Sequence, residues 1–336
     1  MQQTVVTRVW AAGLLALAIL APFFLYPVFV MNALCMALFA CAFNLLLGYV
    51  GLLSFGHAAY LGTAAYVTAH AAKVWGLPPE AAIPAGVAVA AGLGLVYGWL
   101  AIRRQGIYFA MITLAFAQMV YFIALQAPFT GGENGIQGVP RGRLFGLLDL
   151  GDGLTMYYFV LAMFLVGFAI IMRTINSPFG QVLKAIRENE PRAVSLGYRA
   201  DRYKLLAFVL SAALSGLAGS LKALVFQFAA ISDVYWTASG EVVLMTLVGG
   251  LGTVLGPVVG AFILVTMQTY LSQTGSWVTI IEGIIFVVCV LTFRRGIVGV
   301  LAPYLTGRRA SAEPLPEPPP AVEGHAQGLI EPAELR

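Results

Sequence analysis

The sequence predicts an all-α polytopic membrane protein with about eight to ten transmembrane helices, Gly-rich helix breaks and one charged cytosolic loop. Three observations carry that prediction. Hydrophobic residues make up 60% of the 336 residues and charged residues 10%, with a mean hydropathy of +0.87; soluble domains hold roughly 45–50% apolar and about 25% charged residues. The apolar runs are long and unbroken, which excludes the alternating strands of an outer-membrane barrel. Charge is concentrated in one place: seven cations and three anions between 173 and 204 leave +4, the net charge of the whole chain. The pI near 9 does not point to nucleic acid, because the cations sit at the ends of apolar runs.

The first run, 9–30, follows Arg8 and passes through Pro27 without a small-residue cleavage site, so it reads as a span rather than a cleaved signal. Further runs fall at 31–47, 57–72, 81–100, 107–127, 155–172, 205–227, 241–249, 256–272 and 278–293. A ~30 Å hydrocarbon core takes ~20 residues, so 241–249 is too short and 31–47 and 57–72 are marginal. Counted as ten crossings, both termini are cytosolic, and Arg8, Arg103, Arg104, Arg294, Arg295, Arg308, Arg309 and the charged insert face one side. Cys35, Cys41 and Cys289 lie inside apolar runs without metal-ligand spacing and read as small buried hydrophobes.

Two stretches break the helical pattern. Gly48-Tyr-Val-Gly51 leads through Ser54 to His57, and Gly249-Gly-Leu-Gly252 leads to Gly256-Pro257; the shared spacing suggests an internal duplication. Breaks of this kind are tolerated at membrane depth only where protein or a water cavity satisfies the backbone, as in transporter pathways. The plainer reading is close helix packing. Gly48, Gly51, Ser54, His57, Gly249 and Gly252 are therefore candidate pathway residues. For His57 two roles stand open, a gating group or an internal hydrogen bond that stabilises the break. Asn44 and Thr113 read as helix–helix hydrogen-bond partners, and Lys222 as a cation snorkelling to the interface.

The loop 128–154 is long, polar and external; it either caps the pathway, meets an external partner, or merely connects. Asp233, Glu133, Glu241 and Glu282 also lie toward the external side, where they offer charge to a docked protein. Residues 1–309 are expected to form the membrane domain. The tail 310–336, with Pro314, Pro316, Pro318, Pro319, Pro320, Pro332 and five glutamates, is expected to be a disordered cytosolic segment.

Within the insert 177–204, Ser177-Pro178 is a helix start, and Phe179, Val182, Leu183 and Ile186 follow at i, i+3, i+4, i+7. Pro191 ends that helix and opens a second, capped by Asn189 or Glu190, with Gly197 suited to a left-handed stop. The pair lies outside the bilayer with an apolar side in need of cover, either a partner or lipid headgroups.

The insert and its continuation, GQVLKAIRENEPRAVSLGYRADRYKLLAFVLSAALSGLAGSL (180–221), resemble the LivM-type permease subunits of branched-chain amino acid ABC importers. So do NLLLGYVGLLSFGHAAYLG (44–62), YFAMITLAFA (108–117) and SGEVVLMTLVGGLGTVLGPVVGA (239–261). The resemblance implies a subunit that forms the pathway for branched-chain or other hydrophobic amino acids in a bacterial inner membrane. Related permeases also serve urea and short amides. It makes the insert the coupling element for an ATP-binding subunit, carried by Phe179, Val182, Leu183, Ile186, Arg187, Glu188, Pro191, Leu196 and Gly197. The implied partners are a second homologous permease, two ABC ATPases and an external solute-binding protein. ATP–Mg belongs to those ATPases: this chain has no G-x-x-x-x-G-K-[ST] loop, and no cofactor or catalytic site is expected in it. The rival reading is an ion-coupled secondary transporter of small polar solutes. Such a carrier would ordinarily show a mid-helix Asp, Glu or Arg, and none is evident.

Overall fold

The computed structural model describes residues 17–271, 280, 281, 283, 284, 287 and 296–299. Arg8, Glu282, Cys289, Arg294, Arg295, Arg308, Arg309, most of the run 278–293 and the tail 310–336 lie outside the described residues.

After a helical stretch at 17–24, the chain breaks at Leu25 and Tyr26 and restarts at Pro27. Tyr26 is extended (φ −61°, ψ 120°), as a residue before proline prefers, and Pro27 is tolerated as the first helical residue because that N–H has no helical acceptor. The boundary between the first two runs is therefore Pro27 rather than residue 30. Helix α1 (Pro27–Asn44) continues as a π-turn over Leu45–Val50. Helices α2 (His57–Lys73), α3 (Pro79–Ala101), α4 (Ile107–Gln126) and α5 (Gly153–Ile175) follow. Two short helices, α6 (Pro178–Glu188) and α7 (Glu190–Ser195), form the insert. Helices α8 (Ala200–Phe226), α9 (Trp236–Gly249) and α10 (Gly256–Leu271) complete the described bundle. Among the described residues, five helices are long and apolar enough to span a membrane (27–50, α3, α4, α5 and α8), and α2, α9 and α10 pack among them.

Helices α1 and α8 are the buried centre, with α2, α3 and α5 around them. In a bilayer no hydrophobic force drives helices together, so close contact depends on small residues and polar clasps. Gly219 of α8 faces the Leu61 carbonyl, and Gly216 and Gly94 meet alanine methyls of neighbouring helices. The Thr68 hydroxyl lies 2.8 Å from Ser220 Oγ and ties α2 to α8. Leu95, Trp99, Met111, Phe122, Ile123 and Val166 are exposed on the outer faces of α3, α4 and α5, as lipid contact requires. Cys35 and Cys41 are buried free thiols.

At the end opposite the insert, the loop 128–154 is stitched to the bundle. Strand β1 (Ile136–Gln137) pairs antiparallel with β4 (Phe228–Ala229), and β2 (Arg143–Leu144) with β3 (Leu148–Asp149). Arg141 donates to the carbonyls of Leu224 (3.2 Å) and Val225 (2.8 Å), which α8 leaves without helical partners. Lys73 Nζ donates to Gln137 O at 2.7 Å. Asp152 caps α5 by accepting from Thr155 N at 3.1 Å, and that bond holds its carboxyl below the usual range. Two charges at this end are engaged within the chain rather than offered outward: Lys222 Nζ lies 2.7 Å from Asp233 Oδ1.

Candidate functional site at the insert and the helix breaks

The insert folds as the sequence pattern dictates, with one difference in what it covers. Ser177 Oγ accepts from Gly180 N at 3.3 Å and caps α6. Between the two candidates for the next cap, Asn189 takes the role, its Oδ1 accepting from Arg192 N at 3.0 Å. Gly197 stops α7 with φ +91°, and bonds from Gly197 N to Val194 O (2.9 Å) and Tyr198 N to Ala193 O (3.2 Å) close the turn.

The apolar stripe, expected to await a partner, is covered by the chain itself. Leu183 and Ile186 are buried, Ile186 packs with Ala193 and Ala200, and Phe179 stacks on Tyr203 with ring centroids 5.6 Å apart. The reason is that α8 begins at Ala200, inside the charged segment, and supplies the covering face. Lys204 is consequently buried, and its Nζ lies 2.5 Å from Glu190 Oε1. The other Glu190 oxygen accepts from Gln105 Nε2 at 2.9 Å, so one carboxylate joins α7, α8 and the 102–106 turn. The outward surface consists of Val194, Leu196 and Tyr198 with exposed Glu188, Pro191, Arg192 and Arg199.

Removing the Glu190 carboxylate would leave Lys204 buried without its partner, at a cost of ~3–5 kcal/mol. Glu190→Ala is expected to raise protease cutting within 189–199 and lower the unfolding temperature, and Glu190→Ala with Lys204→Met to recover much of the loss. If the double variant is no better than the single, the ion pair is not what fixes the insert.

Both Gly-rich breaks come together directly beside α6. The glycine three positions after the first in each, Gly51 at φ +83° and Gly252 at φ +71°, has left-handed backbone. Asn44 bridges them: its Nδ2 donates to Thr253 O (2.9 Å) and its Oδ1 accepts from Gly252 N (3.0 Å). Gly48 has no room for a side chain, since a Cβ there would overlap the Asn44 amide and stand 2.8 Å from Gly252 N. Arg187 of α6 reaches into this junction. Its Nη1 donates to Gly48 O, a Cβ built on Gly51 would stand 3.1 Å from its Cγ, and one built on Gly252 would stand 3.4 Å from Nη1. Lys184 Nζ sits 5.8 Å from the Tyr49 ring centroid beside it.

The non-helical stretch after Gly51 is satisfied by side chains. Gly56 N donates to Ser54 Oγ (3.2 Å), Phe55 N to Thr113 Oγ1 (3.2 Å) and Ala58 N to Ser239 Oγ (2.9 Å). His57 has no exposed surface; Phe43, Tyr60 and Phe208 surround its ring. Ser211 donates to Ala42 O (2.6 Å), so His57 Nε2 is the donor in their 2.8 Å bond. Of the two roles open for His57, this geometry is that of the internal hydrogen bond. Gly249 packs against Gly256 and Gly260, holding α9 to α10. No group of metal-binding side chains occurs among the described residues.

The sequence places Arg187 on the insert and the glycines in the breaks, yet it does not reveal that they touch. The nearest signal was Asn44, a polar residue four positions before Gly48.

Comparison with known proteins places this arrangement. The family profile for the permease component of branched-chain amino acid transport systems matches residues 28–291. The chain is 27% identical over 293 residues to the high-affinity branched-chain amino acid transport system permease protein LivM of Escherichia coli (strain K12), covering 80% of this chain and 69% of that protein. It is 24% identical over 271 residues to the probable branched-chain amino acid transport permease protein LivH of Methanocaldococcus jannaschii, covering 74% and 83%. The ribose import permease protein RbsC of Bacillus subtilis is 29% identical over 189 residues, covering 53% of this chain and 58% of that protein. No solved structure matches.

Proposed function

Because the chain belongs to the permease-component family of branched-chain amino acid transport systems, we propose that it forms the membrane pathway of an ATP-driven importer for branched-chain or related hydrophobic amino acids. The observation that carries the mechanism is the contact that Arg187 makes with both helix breaks. A force applied to α6 reaches the Gly48 carbonyl directly and, through the Asn44 amide, the backbone of the second break. ATPase subunits carrying ATP–Mg supply that force from the cytosol. They dock on the outward face of the insert, where Val194, Leu196, Tyr198, Glu188, Pro191 and Gly197 lie. Phe179, Val182, Leu183 and Ile186 make the insert rigid enough to transmit the movement.

The rest of the assembly follows from this layout. The cation-rich insert faces the cytosol of a bacterial inner membrane, and the stitched loop 128–154 faces outward toward a solute-binding protein. A second, homologous permease completes the pathway, each permease engaging one ATPase.

Leu196→Asp and Val194→Asp are expected to cut ATPase co-purification by at least about tenfold, the effect of ~1.4 kcal/mol, while membrane-inserted protein stays near wild type. Undiminished co-purification by both variants would remove this face from the coupling role. A reporter placed after Gly197 is expected to read cytosolic and one at Gly146 external. The reverse assignment would contradict the importer layout.

A further inference from the structure

Beside the insert lies a shallow, open groove of about 510 Å³, lined by Ile170, Arg173, Thr174, Ser177, Phe179, Leu206 and Leu210. It is bounded by the last turns of α5, the start of α6 and the first turns of α8. Its mouth is on the outer face of the bundle, where Ile170 is 41% and Leu206 60% exposed. The lining thus combines apolar side chains of two spans with Phe179 of α6.

Arg173 is the one charged residue of the lining, it is exposed, and no carboxylate pairs with it among the described residues. The two hydroxyls of the lining are already committed as donors, Thr174 Oγ1 to Ile170 O (2.8 Å) and Ser177 Oγ to Thr174 O (2.7 Å). Arg173, in the last turn of its span, is therefore the side-chain donor of the lining left to meet an anion. A cation at the end of a span, beside an apolar groove between spans, complements one ligand class, an anionic phospholipid.

We infer that this groove is a phospholipid site, with the phosphate of an anionic lipid on Arg173 and its acyl chain against Ile170, Leu206 and Leu210. Because Phe179 is part of the lining, an occupant would also touch α6. The inference requires only that the chain resides in a bilayer, and it stands independently of the importer reading.

The test uses the purified full chain, exchanged into micelles containing equal dioleoyl-phosphatidylglycerol and dioleoyl-phosphatidylcholine, with retained lipid counted by native mass spectrometry. Wild type is expected to retain phosphatidylglycerol about tenfold over phosphatidylcholine, ~1.4 kcal/mol, because both lipids carry the phosphate but the choline ammonium offsets its charge beside Arg173. Arg173→Ala should abolish the preference, and Leu206→Trp, which fills the slot and keeps the cation, should lower retention of both lipids. Size-exclusion profiles check that each variant stays folded, and Leu206→Trp decides the matter if Arg173→Ala does not. Equal retention of both lipids by wild type, or an undiminished preference in Arg173→Ala, would overturn the proposal. So would displacement of the lipid by inorganic phosphate, or a cross-link from Leu206→Cys to another polypeptide in native membranes. The first would mark a simple anion site and the second a subunit interface.

Discussion

Replacing Arg187 with alanine is expected to lower substrate uptake by the assembled importer on the order of 10- to 100-fold while ATP hydrolysis continues. The estimate comes from the bond it makes. A hydrogen bond from a charged donor contributes ~1.5–3 kcal/mol, and each ~1.4 kcal/mol is a factor of ten. That bond runs from Arg187 Nη1 to Gly48 O, and the guanidinium also lies against Gly252. Arg187→Lys keeps the charge but replaces the guanidinium, whose Nη1 makes both contacts, with a shorter stem and a compact ammonium, so it should recover only part of the uptake. The measurement is radiolabelled leucine uptake beside ATPase rate in the same proteoliposomes. Uptake near wild type in Arg187→Ala would show that force reaches the breaks by another route.

A second large effect is expected at Gly51 and Gly252, and its pattern across substitutions is diagnostic. Bulk alone would make alanine mild and leucine severe. Both residues, however, hold left-handed backbone, which costs most L-residues ~1–2 kcal/mol. Alanine should therefore impair transport substantially at both positions. Asparagine, which tolerates this conformation, should do less damage than alanine despite its greater size. Leucine should be the most damaging, since it adds a branched side chain beyond a Cβ that already stands 3.1 Å from Arg187 Cγ at Gly51 and 3.3 Å from Gly48 O at Gly252. Uptake and membrane-inserted protein, measured for asparagine, alanine and leucine at each site, give the ranking. Alanine proteins that transport better than asparagine proteins would mean that space, not backbone conformation, is what glycine provides here.

Much of this fold was legible because membrane insertion forces a simple code. Long apolar runs become helices, and proline and glycine mark their boundaries, as Pro178 and Gly197 do; Pro27 marks one as well, although the apolar run 9–30 reads through it. The amphipathic stripe of α6 was legible too, but not its partner: periodicity says that Leu183 and Ile186 need cover without saying whose. The same gap hid the ion pairs. Lys204 looked like one more cation of a solvated insert, and Lys222 and Asp233 looked like separate interfacial charges, because pairing depends on how helices register in space. The paired breaks were suggested by glycine spacing, but the left-handed backbone of Gly51 and Gly252 was not, and their meeting through Asn44 joins residues 208 positions apart, a separation no local pattern encodes.

The Asn44 side chain has a kinematic consequence. One amide group engages the donor of Gly252 and the acceptor of Thr253, while its own backbone belongs to the last turn before the π-turn at Leu45. Displacing either break alone would strip both bonds at once and leave two backbone groups and a side-chain amide unpaired in a low-dielectric region. Movement of one break is therefore expected to draw the other with it, so that this end of the bundle tends to shift as one piece.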